Sequence, residues 1–362
     1  MPQSTGMLNP PWARIALAFI AILLGSRIPV PGIDLHVLSK QISYSPNQAM
    51  ARFSIFALGA FPLFTILAYM EIAKLIVPSL AKWQASFAGS SRMSLIVKIL
   101  VLTLTAIQGY GMIRALTSMA ILDGSASVLV AGIASFIGAS AVMIWLADIV
   151  RLPGMGNGVW LLLTIPMLGA LPHEVVTLVE LMRSGAISVL ESLVVCVSVT
   201  VAIAMTVLAC MLLSRSYSPR KSDLQISSAV LLWPPFLANI IGSYLVAVFF
   251  VLAPELFSNA PWFMDAAALV LSTLLIPLFV LGYYRLFALD RIEAVRRGDI
   301  KSILLAVAGV QAVVCLGMGV LNRVLPLSGI PDGGTLIACV VVMLALRNTL
   351  ARGRVLPETV AM

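Results

Sequence analysis

Residues 26–34 read SRIPVPGID and follow directly on an apolar run that begins near residue 12. Two prolines two apart and a glycine forbid a helix here, because proline fixes φ and lacks an N–H donor. Arg27 and Asp34 bracket this otherwise greasy segment. A hydrophobic helix therefore ends in a stiff, turned, charged elbow rather than in an ordinary polar loop, and the fold must accommodate that elbow.

Composition places the preceding helix in a bilayer. The chain is 60% hydrophobic and 10% charged, with a mean hydropathy of +1.06, whereas soluble domains carry about 25% charged residues. A spanning helix needs about 20 apolar residues, and ten runs approach that length. They cover 12–29, 54–77, 94–115, 127–149, 158–172, 186–213, 227–253, 264–287, 302–324 and 334–347, the fifth and tenth being short. The first run has Arg14 as a charged flank, like a secretion signal. A cleavable signal ends in a small-residue site before a soluble protein; this run ends in RIPVPG and leads into more apolar sequence, so it reads as a retained helix.

The formal net charge of +8 does not call for a nucleic-acid partner. With ten spans and an inside N-terminus, the inside loops hold most of the Lys and Arg, among them Lys82, Arg92, Arg151, Arg215, Arg220, Lys221, Arg296, Arg297 and Arg352. Outside segments hold only Arg27, Lys40, Arg52, Arg114, Arg183 and Arg323. That asymmetry is the positive-inside rule, and it predicts cytoplasmic termini. Cys196, Cys210, Cys315 and Cys339 fall inside apolar runs without metal-ligand spacing and read as small core residues. His36 and His173 form no cluster. No nucleophile set, metal box or P-loop is present, which argues against an enzyme and against a cofactor.

Five stretches stand out from the apolar background: SRIPVPGID, FSIFALGAFPLFTILAYMEIAK, WLADIVRLPGMGNGVWLLL, LLWPPFLANIIGS and GIPDGGTLIACVVV. The second is expected to carry Gly59 and Pro62 inside a membrane helix, where freed backbone groups must face protein or a cavity. In the third, Gly154, Gly156 and Gly158 mimic part of a phosphate loop. Such a loop needs a preceding strand, and both flanks here are spans, so a tight cytoplasmic turn is the reading. The fourth sets two adjacent prolines and Asn239 at mid-membrane depth.

In this order the stretches resemble the SecY family, the protein-conducting channel of the general secretory pathway. IPVPGID after the first span, SIFALG with a following proline, and GMGNG between the fourth and fifth spans carry the resemblance. The proline-centred start of the seventh span and GGT opening the tenth are weaker matches. The resemblance runs in register from Arg14 to Arg347. It implies two inverted five-helix halves, 1–172 and 173–362, closing around an hourglass pore. The elbow of Pro29, Pro31, Gly32 and Asp34 would turn the chain at the outer face and feed it back into the channel mouth. A stiff turn with no role in a pore is the plainer alternative.

Carried over position by position, the family's apolar pore ring falls on Ala60, Phe64, Leu163, Phe236 and Cys339. Such a ring excludes ions by dewetting while flexing around a passing polypeptide. The alternative for Phe64 and Phe236 is a lipid-facing position. Glu71 and Asn239 are candidate polar groups of a lateral gate, although a local ion pair of Glu71 with Lys74 would also explain that charge. The resemblance implies a SecE-like small membrane subunit as brace and unfolded polypeptide as substrate.

Three segments are shorter than the family's. LHVLSKQISYSPNQAMARF leaves little room for a plug helix. SRSYSPRKSDLQ, with Arg220 and Lys221, and ALDRIEAVRRGDIKS, with Arg296 and Arg297, replace the longer cytoplasmic loops where SecA or the ribosome docks. Weak motor docking is therefore expected. The combined expectation is an accessory SecY-like channel of the bacterial inner membrane. A small-solute transporter and a non-conducting assembly factor remain as alternatives.

Overall fold

The computed structural model describes residues 11–33, 53–119, 121–122, 125–150, 155, 158–216, 221–252, 261–291, 297–325 and 330–353. They are organised as eleven helices: α1 (Pro11–Gly25), α2 (Phe61–Ile76), α3 (Pro78–Ala85), α4 (Phe87–Ser118), α5 (Ala126–Ile149), α6 (Val159–Arg183), α7 (Val189–Ser216), α8 (Lys221–Leu252), α9 (Pro261–Arg291), α10 (Arg297–Val324) and α11 (Gly333–Gly353). Seven of these, α4 to α10, are long and apolar enough to cross a bilayer, and α1 and α11 are shorter apolar helices. The bent pair of α2 and α3 accounts for the remaining apolar run. The chain is a multi-pass, all-helical membrane protein.

The backbone divides into two compact units. One comprises Met1–Leu152, Asn157–Pro166 and Thr349–Met362; the other comprises Pro153–Gly156 and Met167–Asn348. The change of unit after Pro166 falls inside α6, which runs unbroken to Arg183. The fifth apolar run was expected to end at residue 172. The helix instead continues past Pro172 through HEVVTLVELMR to Arg183.

In the first unit the elbow is tied down by the backbone. Pro29 and Ser54 form an antiparallel bridge. The Val30 N–H donates to the Phe53 carbonyl at 3.0 Å, and the Ile55 N–H donates to the Ile28 carbonyl at 2.9 Å. Pro29 thus occupies the pair that exchanges no hydrogen bonds, so its missing donor costs nothing. Val30 is buried in a cluster with Ile113, Leu116, Ile121, Leu122 and Phe136. Gly32 has a φ of +86°, and a Cβ at that position would lie 2.5 Å from Val128 Cγ1. Both facts demand glycine.

SIFALG is not helical. Residues 53–60 turn beside the elbow, and Gly59 adopts a φ of +50° immediately before α2. The expectation of a helix from residue 54 with Gly59 and Pro62 inside it is therefore corrected: Pro62 lies in the first turn of α2. A proline there loses no intrahelical bond, because the first N–H groups of a helix have no partner anyway. Proline starts this helix rather than kinking it. The first helix likewise stops at Gly25, before the elbow.

Packing within each unit follows the rules of a lipid environment, where close contact and interhelical hydrogen bonds hold helices together. In the first unit α4 lies against α5. The buried Thr105 hydroxyl donates to Ser140 Oγ at 3.0 Å, and Lys98 pairs with Asp148 at 2.6 Å. In the second unit α8 packs on α9, α9 on α10, and α7 on α10. On α7, Leu190, Val197, Val201, Leu208 and Met211 are exposed, as a lipid-facing surface requires.

Candidate functional site

Three of the five expected ring residues belong to the first unit. Ala60 is the N-cap of α2 and accepts from the Phe64 N–H at 2.9 Å. Phe64 therefore sits in the first turn, held by the same short-range geometry that seats Pro62. Ala60 and Phe64 are both buried, so Phe64 is not lipid-facing. Its ring meets Trp160 of α6 edge to face, with centroids 5.5 Å apart and planes at 76°. This geometry places a positive ring edge against a negative ring face. Leu163 lies one turn beyond Trp160 on α6 and is half-buried.

Farther along α2, Glu71 accepts a hydrogen bond from Lys74, and both side chains are mostly buried. The local pair weighed against the gate role thus forms, and it compensates the charge of Glu71 whether or not Glu71 has a further task. The helix then stops at Ile76, and α3 leaves at 118°. Val77 caps α2, Pro78 opens α3, and the missing proline donor ends the ladder between them.

The second unit holds Phe236, Asn239 and Cys339. The paired prolines 234 and 235 do not start their helix. They lie inside α8, which begins at Lys221. Two consecutive missing N–H groups leave the carbonyls of Val230 and Leu231 without helical partners. Gln311 of α10 supplies them: its Nε2 donates to Val230 O at 3.0 Å and to Leu231 O at 2.9 Å. The helix therefore stays continuous through Pro234–Pro235. Phe236 follows at once and is half-buried, and Asn239 is exposed.

Phe236 and Asn239 share a cavity of about 360 Å³ with Asp265, Ser272, Arg323 and Asp332. Arg323 spends its guanidinium on backbone, donating to Gly319 O at 2.9 Å and to Asp265 O. Asp332 caps α11, with Oδ1 accepting from the Thr335 N–H at 2.6 Å. Gly333 lines the same cavity. Cys339 lies on α11, half-buried, and does not line it.

Pro29, Pro31 and Gly32 form the elbow described above, whereas Asp34 lies outside the described residues. So do the segment expected to bear the plug, Arg220 and Arg296. Lys221 and Arg297 open α8 and α10. Between the described helices, 217–220 and 292–296 lie outside the described residues.

Sequence reasoning missed Gln311 and the Lys98–Asp148 pair. Only half of the signal for Gln311 was present: adjacent prolines inside an apolar run leave carbonyls that need a donor, but the 302–324 run holds two amides, Gln311 and Asn322, and nothing in the sequence says which one meets them.

A family model described as SecY matches residues 54–286. Among curated proteins, the chain is 28% identical to the protein translocase subunit SecY of Rickettsia felis over 211 residues, covering 53% of this chain and 48% of that one. It is 27% identical to the SecY subunit of Pseudomonas aeruginosa over 202 residues, covering 51% and 46%. The chain thus spans about half the length of the curated relatives it matches. Its fold resembles a SecY structure in which the plug domain stabilises the closed translocation channel, with a TM-score of 0.61 and 11% identity over 100% of this chain and 97% of that one. It also resembles Sec61 of a canine ribosome–channel complex, with a TM-score of 0.59 and 12% identity over the same shares. At such identities the structures speak for the fold alone; the match across 54–286, which begins beside the elbow and takes in α2 through most of α9, shows that the chain belongs to the SecY family.

Proposed function

We propose that this protein is a channel subunit that translocates polypeptides across, or inserts them into, the bacterial inner membrane, as an accessory paralogue with a reduced plug and reduced motor-docking loops. The family match over residues 54–286 carries this reading. In it, Ala60, Phe64, Leu163, Phe236 and Cys339 form the constriction, and every one is uncharged and apolar. An apolar ring resists ions by dewetting. Glu71 and Asn239 border a lateral gate through which apolar segments leave for lipid. The two halves, 1–172 and 173–362, are inverted repeats braced by a SecE-like small subunit, and both termini lie in the cytoplasm. Pro29, Pro31, Gly32 and Asp34 turn the chain at the outer face. No catalytic chemistry and no cofactor enter this scheme.

The test is site-specific crosslinking of a stalled nascent polypeptide to photoreactive residues placed at 64 and 236. Adducts at both positions, absent for a probe at lipid-exposed Val201, are expected. Adducts nowhere, with the protein correctly inserted, would refute a conducting role.

One observation favours a second reading. The cavity that joins Asn239 to Asp265, Arg323 and Asp332 brings together the convergent polar groups that a small-solute transporter needs. Uptake of small solutes into vesicles, unaffected by a jammed polypeptide, is the outcome that reading requires.

A further inference from the structure

Gln311 is buried, with 1% of its surface exposed. Its amide NH2 reaches two consecutive carbonyls, those of Val230 and Leu231, on a helix 80 and 81 residues away in sequence. Those carbonyls stand four residues before Pro234 and Pro235, the spacing at which a proline ring removes the helical donor. The match is two donors to two orphaned acceptors. It is obtained at the expense of Gln311 Oε1, which is buried and has no hydrogen-bond partner. A buried amide that leaves its oxygen unpaired is oriented by what its nitrogen must do.

We infer that Gln311 is a positioning residue: it clamps the proline-weakened point of α8 to α10 and so holds Phe236 and Asn239 in the arrangement observed. An α8 without this clamp has a break in its hydrogen-bond ladder at Val230–Leu231, and such breaks are where helices bend. Everything beyond the break, including Phe236 one residue past Pro235 and Asn239 one turn on, swings with the outer part of the helix. Release of the clamp is the event that lets α8 bend. That last step rests on the channel reading proposed above; the clamp itself does not.

A thermodynamic cycle separates the two. Four full-length chains are compared in native-lipid vesicles and in mild detergent: the unmodified protein, Gln311→Met, the pair Pro234→Ala and Pro235→Ala, and the triple variant. Methionine keeps the volume and removes the donors, while the alanines return N–H groups to α8. In the proline background, Gln311→Met is expected to lower the unfolding midpoint by about 5 °C and to raise channel opening in planar bilayers about tenfold. In the alanine background the same change should alter either quantity by at most a third as much. An equal effect in both backgrounds would mean that Gln311 acts by packing alone, and no effect in the proline background would remove the clamp altogether. If Gln311→Met does not accumulate, accumulation of the triple variant supports the clamp and its failure overturns it. If the midpoints show coupling but no chain conducts, the clamp stands and the channel reading fails.

Discussion

Single positions in the elbow leave almost no choice of residue. Gly32 combines a left-handed φ of +86° with a side chain, Val128, standing where its own Cβ would go. Gly32→Ala therefore strains the backbone and overpacks the cluster around Val30. We expect it to cost about 2 kcal/mol, visible as a lower unfolding midpoint in detergent. An unchanged midpoint would mean that the elbow relaxes freely. Pro29 and Gly32 were legible in the sequence, because both announce a turn by their own backbone chemistry. Gln311 was not, since its importance depends on carbonyls on another helix, and nothing local in VAGVQAVVC marks which neighbour an amide will meet.

At the scale of elements, hydropathy located the spans well and their ends less well. SIFALG is as apolar as a helix, so it read as the start of the second span. The positive φ of Gly59 and the placement of Pro62 in the first turn put that start at Phe61 instead. Apolarity reports that a segment avoids water; it does not report whether its hydrogen bonds run along the chain or across to Ile28 and Val30. Between α4 and α5, by contrast, side chains carry the polar contact. Thr105→Val removes the bond to Ser140 and is expected to destabilise the protein by only about 0.6 kcal/mol, because the unpaired hydroxyl finds a backbone carbonyl. A loss several times larger, measured by reversible unfolding, would show that this bond has no local substitute.

For the whole molecule, what remains between helices decides what can dock. Standard interfaces bury about 800 Å² per partner, and between the apolar runs the sequence has only SRSYSPRKSDLQ and ALDRIEAVRRGDIKS in which to present such a surface. The basic residues in them offer only a salt-screened attraction. We therefore expect this protein to bind SecA or ribosomes far more weakly than a full-length SecY and to fail to restore growth to a SecY-depleted strain. Full rescue would overturn the proposal that it is an accessory channel. The family was legible from the order of the elbow, the glycine-rich turn and the paired prolines. The proposed pore ring was drawn only by analogy, since a ring built from distant segments leaves no periodic mark on any one of them.

Under the channel reading proposed above, the pairing of Pro29 with Ser54 has a bearing on substrates. An unfolded chain crossing a membrane is an extended ribbon of unmet backbone donors and acceptors, ready to add itself to any exposed β edge. Along 28–30 the elbow offers little of such a template, with only the Pro29 carbonyl on its outer edge. The Ile28 N–H already bonds Gly25 O, Pro29 has no N–H, and Val30 O is occupied by the Ile33 N–H. Two residues of strand are enough to fasten this corner of the protein, and too few, too well occupied, to hold on to a passing guest.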